Sequence, residues 1–246
     1  MPRTLLILAA FCGVLGLAAK PPMQTKVTFE SENRRNLSIE YLLYLPEKYD
    51  ADKETQWPLL IFLHGAGERG DNIERVKVHG PPKLIEKGRH FPFIVVSPQC
   101  PRGQVWDTQT LDAMLDDLLK KHRIDTTRLY LTGLSMGGYG SWSWGIKQCD
   151  RFAAIAPICG GGNFIKTYNA AGAKGAALRS LGIWAFHGGR DTVVPPGESE
   201  RMIASLKKFG HPNPKLTLYP KARHDSWTVT YDNPELYEWF LKHQRK

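Results

Sequence analysis

The stretch Gly133-Leu134-Ser135-Met136-Gly137 sets a serine between two glycines, a spacing in which a hydroxyl can act as a nucleophile. Upstream, Arg128-Leu129-Tyr130-Leu131-Thr132 reads as a short buried strand, and downstream Tyr139 to Gln148 can form a helix. A tight strand-to-helix turn strains the serine backbone and projects its hydroxyl out of the sheet. Strand and helix then approach so closely that Gly133 and Gly137 must carry no Cβ. Met136 opens the helix, so its N–H faces the place where charge would develop on an attacked carbonyl. By chance the pentapeptide arises in roughly one chain in twelve of this length. Ser135 therefore carries weight only if partners for it exist.

A serine nucleophile needs a base, and the base needs an orienting group. Downstream stand His187, His211, His224 and His243. His243 falls in a charged terminal helix and His211 in a Gly-His-Pro turn, and both read as solvated. His187 ends an apolar run and reads as holding the loop behind it. His224, in Lys221-Ala222-Arg223-His224-Asp225-Ser226-Trp227, follows the last strand at the carboxyl edge of the sheet, the edge that carries Ser135. It is the candidate base. Asp191 follows the penultimate strand at the same edge and is the candidate acid, accepting a hydrogen bond from the imidazole. Glu198 opens a helix, where an acid is ordinary, and Asp225, adjoining His224, reads as a loop cap. A second oxyanion donor is sought in His64-Gly65-Ala66-Gly67, with Ala66 first and Gly67 second. That loop lacks the G-x-x-x-x-G-K-[ST] pattern of a phosphate cradle. The chemistry calls for no metal and no organic cofactor.

These residues need strands to carry them. Leu59-Leu60-Ile61-Phe62-Leu63, Phe93 to Ser97, Phe152 to Ile158 and Gly182 to Phe186 are continuous apolar runs suited to parallel strands buried on both faces. Val27 to Ser31 and Ile39 to Pro46, joined by the turn Asn33-Arg34-Arg35-Asn36, precede them, and Lys215 to Tyr219 is the last strand. Helices are expected at Lys83 to Lys87, Thr108 to His122, Ala170 to Arg179, Glu198 to Phe209 and Asn233 to Gln244, with Asp125 to Arg128 as a turn. Alternating strands and helices imply an α/β fold with a mostly parallel sheet between helical layers. The connection from Cys159 to Gly182 is too short for a large helical lid.

The chain of 246 residues has a formal charge of +9, 42% hydrophobic residues and 23% charged ones, the composition of a soluble globular protein. Its basic residues are scattered, without the dense run of a nucleic-acid binder. Arg3, the apolar run Leu5 to Leu17 and the small residues before Lys20 read as a signal peptide over 1–19, cleaved after Ala19. Residues 20–246 are then one exported catalytic domain, secreted or periplasmic, with no stable membrane insertion. Of the cysteines beyond the leader, Cys100 and Cys159 end strands three spacings apart, roughly 14 Å, too far for a disulfide.

With His64-Gly65-Ala66-Gly67, the Ser135 turn, His187-Gly188-Gly189-Arg190-Asp191 and His224 in place, the chain resembles secreted α/β-hydrolases of the serine esterase type. These are the polyhydroxybutyrate depolymerases, feruloyl and acetylxylan esterases and dienelactone hydrolase-like proteins. The serine–acid–histidine order agrees with that fold. The resemblance, from about residue 38 to 243, implies a catalytic triad of Ser135, Asp191 and His224 and an oxyanion hole of Ala66 and Met136. It implies a carboxylesterase acting on short-chain or polysaccharide-linked esters. A serine peptidase of the prolyl-oligopeptidase-like kind is the alternative, and a non-catalytic binding protein on the same fold is a third reading. Trp106, in Gly103-Gln104-Val105-Trp106-Asp107, and Trp227 beside the base are candidate substrate contacts, with simple packing as the alternative for each.

Overall fold

The computed structural model describes residues 23–31 and 37–245, so the expected leader and the Asn33–Asn36 turn lie outside the described residues. A single eight-stranded sheet runs in the order β1-β2-β4-β3-β5-β6-β7-β8. Its strands are β1 (Thr25–Ser31), β2 (Leu37–Tyr44), β3 (Trp57–Leu63), β4 (Ile94–Pro98), β5 (Ile124–Leu134), β6 (Ala154–Ile158), β7 (Gly182–Gly188) and β8 (Lys215–Tyr219). The first two pair antiparallel, and from β4 to β8 every pairing is parallel. All parallel strands therefore deliver their carboxyl ends, and the loops that follow them, to one edge.

Helices close both faces. On one side pack α2 (Thr108–Lys121), α3 (Met136–Lys147), α4 (Phe164–Ala173), α5 (Gly175–Ser180) and α6 (Gly197–Lys208). On the other pack α1 (Gly80–Glu86), α7 (Ser226–Asp232) and α8 (Pro234–Leu241). The β3 run shows why its apolar residues do not alternate. Leu59, Ile61 and Leu63 point into the first core, Leu60 and Phe62 into the second, and all five are 0% exposed. The short connection from β6 to β7 is spent on α4 and α5, and α4 packs against α3 and α6. No helix among the described residues is long and apolar enough to cross a membrane.

Several local expectations are corrected. The helix expected from Ala170 begins instead at Phe164, because Asn163 accepts hydrogen bonds from the Ile165 and Lys166 N–H groups and caps it there. Pro81 and Pro82 sit inside the first turn of α1, where their missing N–H groups cost nothing. Asp125–Arg128 does use turn chemistry, Asp125 accepting from the Thr127 N–H at 2.9 Å. Those residues nevertheless remain within β5 as a bulge, the register stepping from Trp57↔Ile124 to Leu59↔Leu129. Ser226-Trp227-Thr228-Val229-Thr230-Tyr231 is a helix that its β-branched residues do not announce. Burial holds it, with the Tyr231 hydroxyl 3.0 Å from Thr132 Oγ1 and its ring edge-on to Phe62. Asp225 occupies the N-cap of this helix but its side chain makes no capping bond.

Cys100, Cys149 and Cys159 are all free and buried. A Cβ on Gly137 would overlap the Leu63 carbonyl, whereas one on Gly172 meets nothing within 4 Å. Gly137→Ala is therefore expected to lose about 3 kcal/mol or more, or not to fold. Gly172→Ala, inside α4, should gain roughly 0.5–1 kcal/mol. Urea unfolding of the two variants checks both signs.

Candidate active site

The β5–α3 junction is built as a strained turn. Ser135 has φ 53° and ψ −116°, a conformation that a side-chain-bearing residue rarely holds. Its N–H donates to the Ile158 carbonyl at 3.0 Å and approaches Cys159 Sγ at 3.3 Å, and its carbonyl accepts from Tyr139 N–H at 3.0 Å. Cys159 is the only other described non-glycine residue with positive φ, at 40°. The two strained residues thus brace each other at the ends of neighbouring strands. Glycine at 138 and 160 makes this possible, since a Cβ on either would run into the backbone of the other.

The structure brings Ser135, His224 and Asp191 into one hydrogen-bonded line. His224 Nε2 lies 3.0 Å from Ser135 Oγ, and His224 Nδ1 lies 2.7 Å from Asp191 Oδ2. With Nδ1–H donating to the carboxylate, Nε2 is free to accept the serine proton. The Asp191 side chain is fully buried and that of His224 one-fifth exposed. Burial pushes the Asp191 carboxyl up, but hydrogen bonds from His224 and from the Val194 and Val193 N–H groups prevail and hold it below the ordinary value. The Asp191 carboxyl is therefore ionised at neutral pH.

His187 holds the acid loop. Its Nε2 donates to the Val194 carbonyl at 2.9 Å, and Nδ1 lies 2.7 Å from Ser199 Oγ, itself 3.0 Å from the Gly160 carbonyl. Glu198 pairs with Arg201 instead of reaching the base. His211 and His243 were expected in solvent, and the structure buries the first and leaves the second partly exposed. His211 is 6% exposed with Nε2 donating to the Leu181 carbonyl, and His243 donates Nδ1–H to the Trp239 carbonyl and packs on that ring. Turn and helix-end positions hide such burial from a reader of sequence.

The loop after β3 forms a short 3₁₀ turn, Ala66–Glu68. Arg69 Nε donates to the Ala66 carbonyl at 2.9 Å and Arg75 to the Gly67 carbonyl at 2.6 Å, which fixes both peptide planes. Among the described residues, neither the Ala66 nor the Met136 N–H has a hydrogen-bond acceptor. Glu68 was missed by sequence reasoning. It is 8% exposed, and its Oε2 accepts from the Gly65 N–H at 2.9 Å. The three-residue spacing of a capping box was the available signal.

Trp106 is packed, its Nε1 donating to the His64 carbonyl at 3.1 Å, yet it also walls a cleft of about 460 Å³ beside Ser135. Val105, Met136, Tyr139 and Ser143 complete the walls. Tyr139 is a lining residue that sequence reading passed over, because it stands inside the helix after the serine. Trp227 lies edge-on to His224 at 5.2 Å and to His79 at 5.3 Å, bracing the base outside the cleft. Gly67 is exposed on the loop after β3.

Cys159, Asp191 and His224 also bring three metal-ligating atoms within 4.8 Å of one another, a grouping the separate loops hide in the sequence. Each is already engaged. Asp191 Oδ1 accepts from the Val193 and Val194 N–H groups, Oδ2 faces His224, and the Cys159 thiol is pushed up to about 12 by burial. The hydrogen-bonded Ser135–His224–Asp191 line occupies the groups concerned.

A parallel sheet, a strained serine turn and a Ser–His–Asp line define a protein of the α/β-hydrolase fold with the geometry of a serine hydrolase. No family model matches the chain. It is 30% identical over 183 residues to a bifunctional acetylxylan esterase/xylanase of Neocallimastix patriciarum, covering 66% of this chain and 25% of that protein. It is 26% identical over 162 residues to a protein described as a probable feruloyl esterase C of Aspergillus terreus, covering 63% of this chain and 56% of that one. Among solved structures, a thermostable esterase superposes with a TM-score of 0.74 at 29% identity, over 91% of this chain and 64% of that chain. The chain thus spans between a quarter and about two-thirds of the length of these relatives. By fold the protein is an α/β-hydrolase, and its homologues are acetylxylan and feruloyl esterases.

His64, 0% exposed beneath the loop after β3, carries a pH consequence. Burial, with Arg69 adding to it against the Gly65 carbonyl bond, lowers its pKa from 6.5 to about 4. The neutral ring donates Nδ1–H to that carbonyl, and Nε2 accepts from Cys100 N–H. Because the folded pKa lies below the unfolded one, the unfolded chain takes the proton first as pH falls. Its contribution is complete above pH 6.5 and is lost on descent to pH 4, by roughly 3 kcal/mol. Urea unfolding across that window should show the decline, with a shallower slope in His64→Gln. An equal slope would remove His64 as the cause.

Proposed function

We propose that the protein is a secreted serine carboxylesterase that hydrolyses short-chain or polysaccharide-linked esters of the acetyl or feruloyl type. One observation carries the reading: the Ser135–His224–Asp191 line, at 3.0 and 2.7 Å, opens onto an apolar cleft. Ser135 Oγ attacks the ester carbonyl as His224 Nε2 takes its proton, and the buried Asp191 carboxylate stabilises the imidazolium. The Ala66 and Met136 N–H groups receive the oxyanion. The alcohol leaves with the proton from His224, and water then attacks the acyl-enzyme under the same base. The cleft between Trp106, Val105 and Tyr139 receives the acyl group, and its apolar walls suit an aromatic or short aliphatic chain. The connection from Cys159 to Gly182 is too short for a large helical lid, which suits an ester borne on a polymer. The names of the relatives, acetylxylan and feruloyl esterases, support this class. Export follows from the leader read in residues 1–19.

A fluorophosphonate should label the protein at Ser135 and leave Ser135→Ala unlabelled. Turnover of acetyl, butyryl and feruloyl esters should fall at least ~1000-fold in Ser135→Ala. A panel that also contains a long-chain ester and a prolyl anilide tests the substrate class. Turnover of the anilide alone would replace the esterase reading with a peptidase.

Glu68 provides a separate check. Glu68→Ala frees the Gly65 N–H and loosens the oxyanion loop. The expected result is a kcat on p-nitrophenyl acetate lower by about 10- to 100-fold with KM little changed. A matched rise in KM at constant kcat would place Glu68 in ground-state binding instead.

A further inference from the structure

His79 stands between the turn after β3 and the base without belonging to either. Its Nε2 lies 3.9 Å from Glu68 Oε1, and its ring meets the Trp227 ring at 5.3 Å and 61°. Glu68 in turn accepts from the Gly65 N–H at 2.9 Å, and Trp227 lies edge-on to His224 at 5.2 Å. One line of contacts thus runs Gly65–Glu68–His79–Trp227–His224 and ends on the ring that faces Ser135 Oγ. Its two ends sit on the loops after β3 and β8, strands that β5, β6 and β7 separate in the sheet.

The local backbone holds His79 in this place. It is extended, at φ −137° and ψ 166°, and precedes α1 without giving that helix a side-chain capping bond. Gly80 follows at φ +65°, and a Cβ there would stand 2.5 Å from the Phe62 ring, so the turn is pressed against the second core. Burial lowers the His79 pKa, and Lys83 adds to this against the opposing charge of Glu68. The ring is therefore neutral at neutral pH. In the Nε2–H tautomer it turns an N–H dipole toward the carboxylate.

Both of its neighbours are lightly held. Glu68 is 8% exposed, and among the described residues no donor comes within hydrogen-bond distance of its Oε1. Trp227 Nε1 is buried without a hydrogen-bond partner among the described residues, so packing alone holds the indole. A hollow of about 170 Å³, walled by Lys83, Lys87, Thr228 and Tyr231 of α1 and α7, adjoins both His79 and Trp227. Truncating His79 adds the volume of its ring to that hollow, and an indole without a hydrogen bond can turn into the space. Glu68 and the base would each lose a support in one step.

We propose that His79 is a positioning residue of this site: its ring keeps the Glu68-held turn and the Trp227-braced base in register, so that the Ala66 N–H and His224 Nε2 serve one reacting carbonyl. The inference rests on Ser135 acting with His224 and the Ala66 N–H as proposed above. Attack needs donor and base placed together, and a misplacement of about 1 Å can cost roughly 100-fold in rate. His79 acts on that placement through Glu68 and Trp227, and not on the reacting atoms.

Turnover of p-nitrophenyl acetate by the full chain, with active sites counted by exhaustive fluorophosphonate labelling, tests it. Counting sites confines the comparison to folded molecules. His79→Ala should lower kcat per labelled site by about 10-fold and leave KM within roughly two-fold. The rate of labelling should fall in step with kcat. In the Glu68→Ala and Trp227→Ala backgrounds the tie is already cut, so adding His79→Ala should cost less than about three-fold more. Lys83→Ala, on the same helix and against the same hollow, should change neither constant. An unchanged kcat per site in His79→Ala, a rise in KM at constant kcat, losses that multiply in the double variants, or an equal loss in Lys83→Ala would each overturn the proposal. Wild-type protein that labels but hydrolyses no ester would sink the esterase reading, and the labelling rates of the same variants would then decide this one.

Discussion

Ser135 at φ 53° is held in a conformation that costs roughly 1–3 kcal/mol, and the surrounding backbone exists in the form it does because something must hold it there. The serine N–H is satisfied by the end of β6, its carbonyl by the first turn of α3, and the helix itself can come close only where Gly137 and Gly138 leave room. That close approach draws the end of β3, the end of β6 and the start of α3 into one contact. The Ala66–Glu68 turn follows β3, Cys159 follows β6, and the Met136 N–H stands at the head of α3. A change of register in either neighbouring strand would therefore displace Ser135 and the Ala66 and Met136 N–H groups together.

The remaining strand ends are joined to this centre by hydrogen bonds through side chains. His187 ties the acid loop after β7 to Ser199 on α6, and Ser199 in turn reaches the Gly160 carbonyl beyond β6. Trp227 braces the base from a helix whose Tyr231 is anchored to Thr132 in β5. Ser135, Asp191 and His224 are thus carried on loops, but each loop is fastened to an element of the sheet. Precision of that kind is what a 3.0 Å and a 2.7 Å contact in series require.

Much of this was legible in the sequence because the buried strands of an α/β sheet read as apolar runs whose following loops fall at a known edge. Ser135, Asp191 and His224 stand out because each lies in such a loop, in the order serine, acid, histidine. The alternation of Leu59 to Leu63 between two cores was also foreseeable from the run alone. Cys159 was not, since it acts through the Ser135 N–H, a contact that leaves no spacing pattern, and the one sign of Glu68 was its three-residue distance from Gly65, weak because glycine offers no capping side chain. The helix Ser226–Asp232 was hidden because burial of Tyr231, and not helix propensity, stabilises it. His211 was misplaced in solvent because a Gly-His-Pro turn does not reveal that a neighbouring strand end, Leu181, supplies an acceptor.

The three thiols have a consequence of their own. Cys100, Cys149 and Cys159 are buried and unpaired, and burial raises the pKa of each, to about 11 at Cys100 and about 12 at Cys159. A thiol so reluctant to ionise is a poor nucleophile toward oxidants and alkylating agents. The described fold owes no stability to a cross-link, so it is indifferent to the redox poise of its surroundings. A chain of this design can reach its working shape equally well before or after passing into an oxidising compartment.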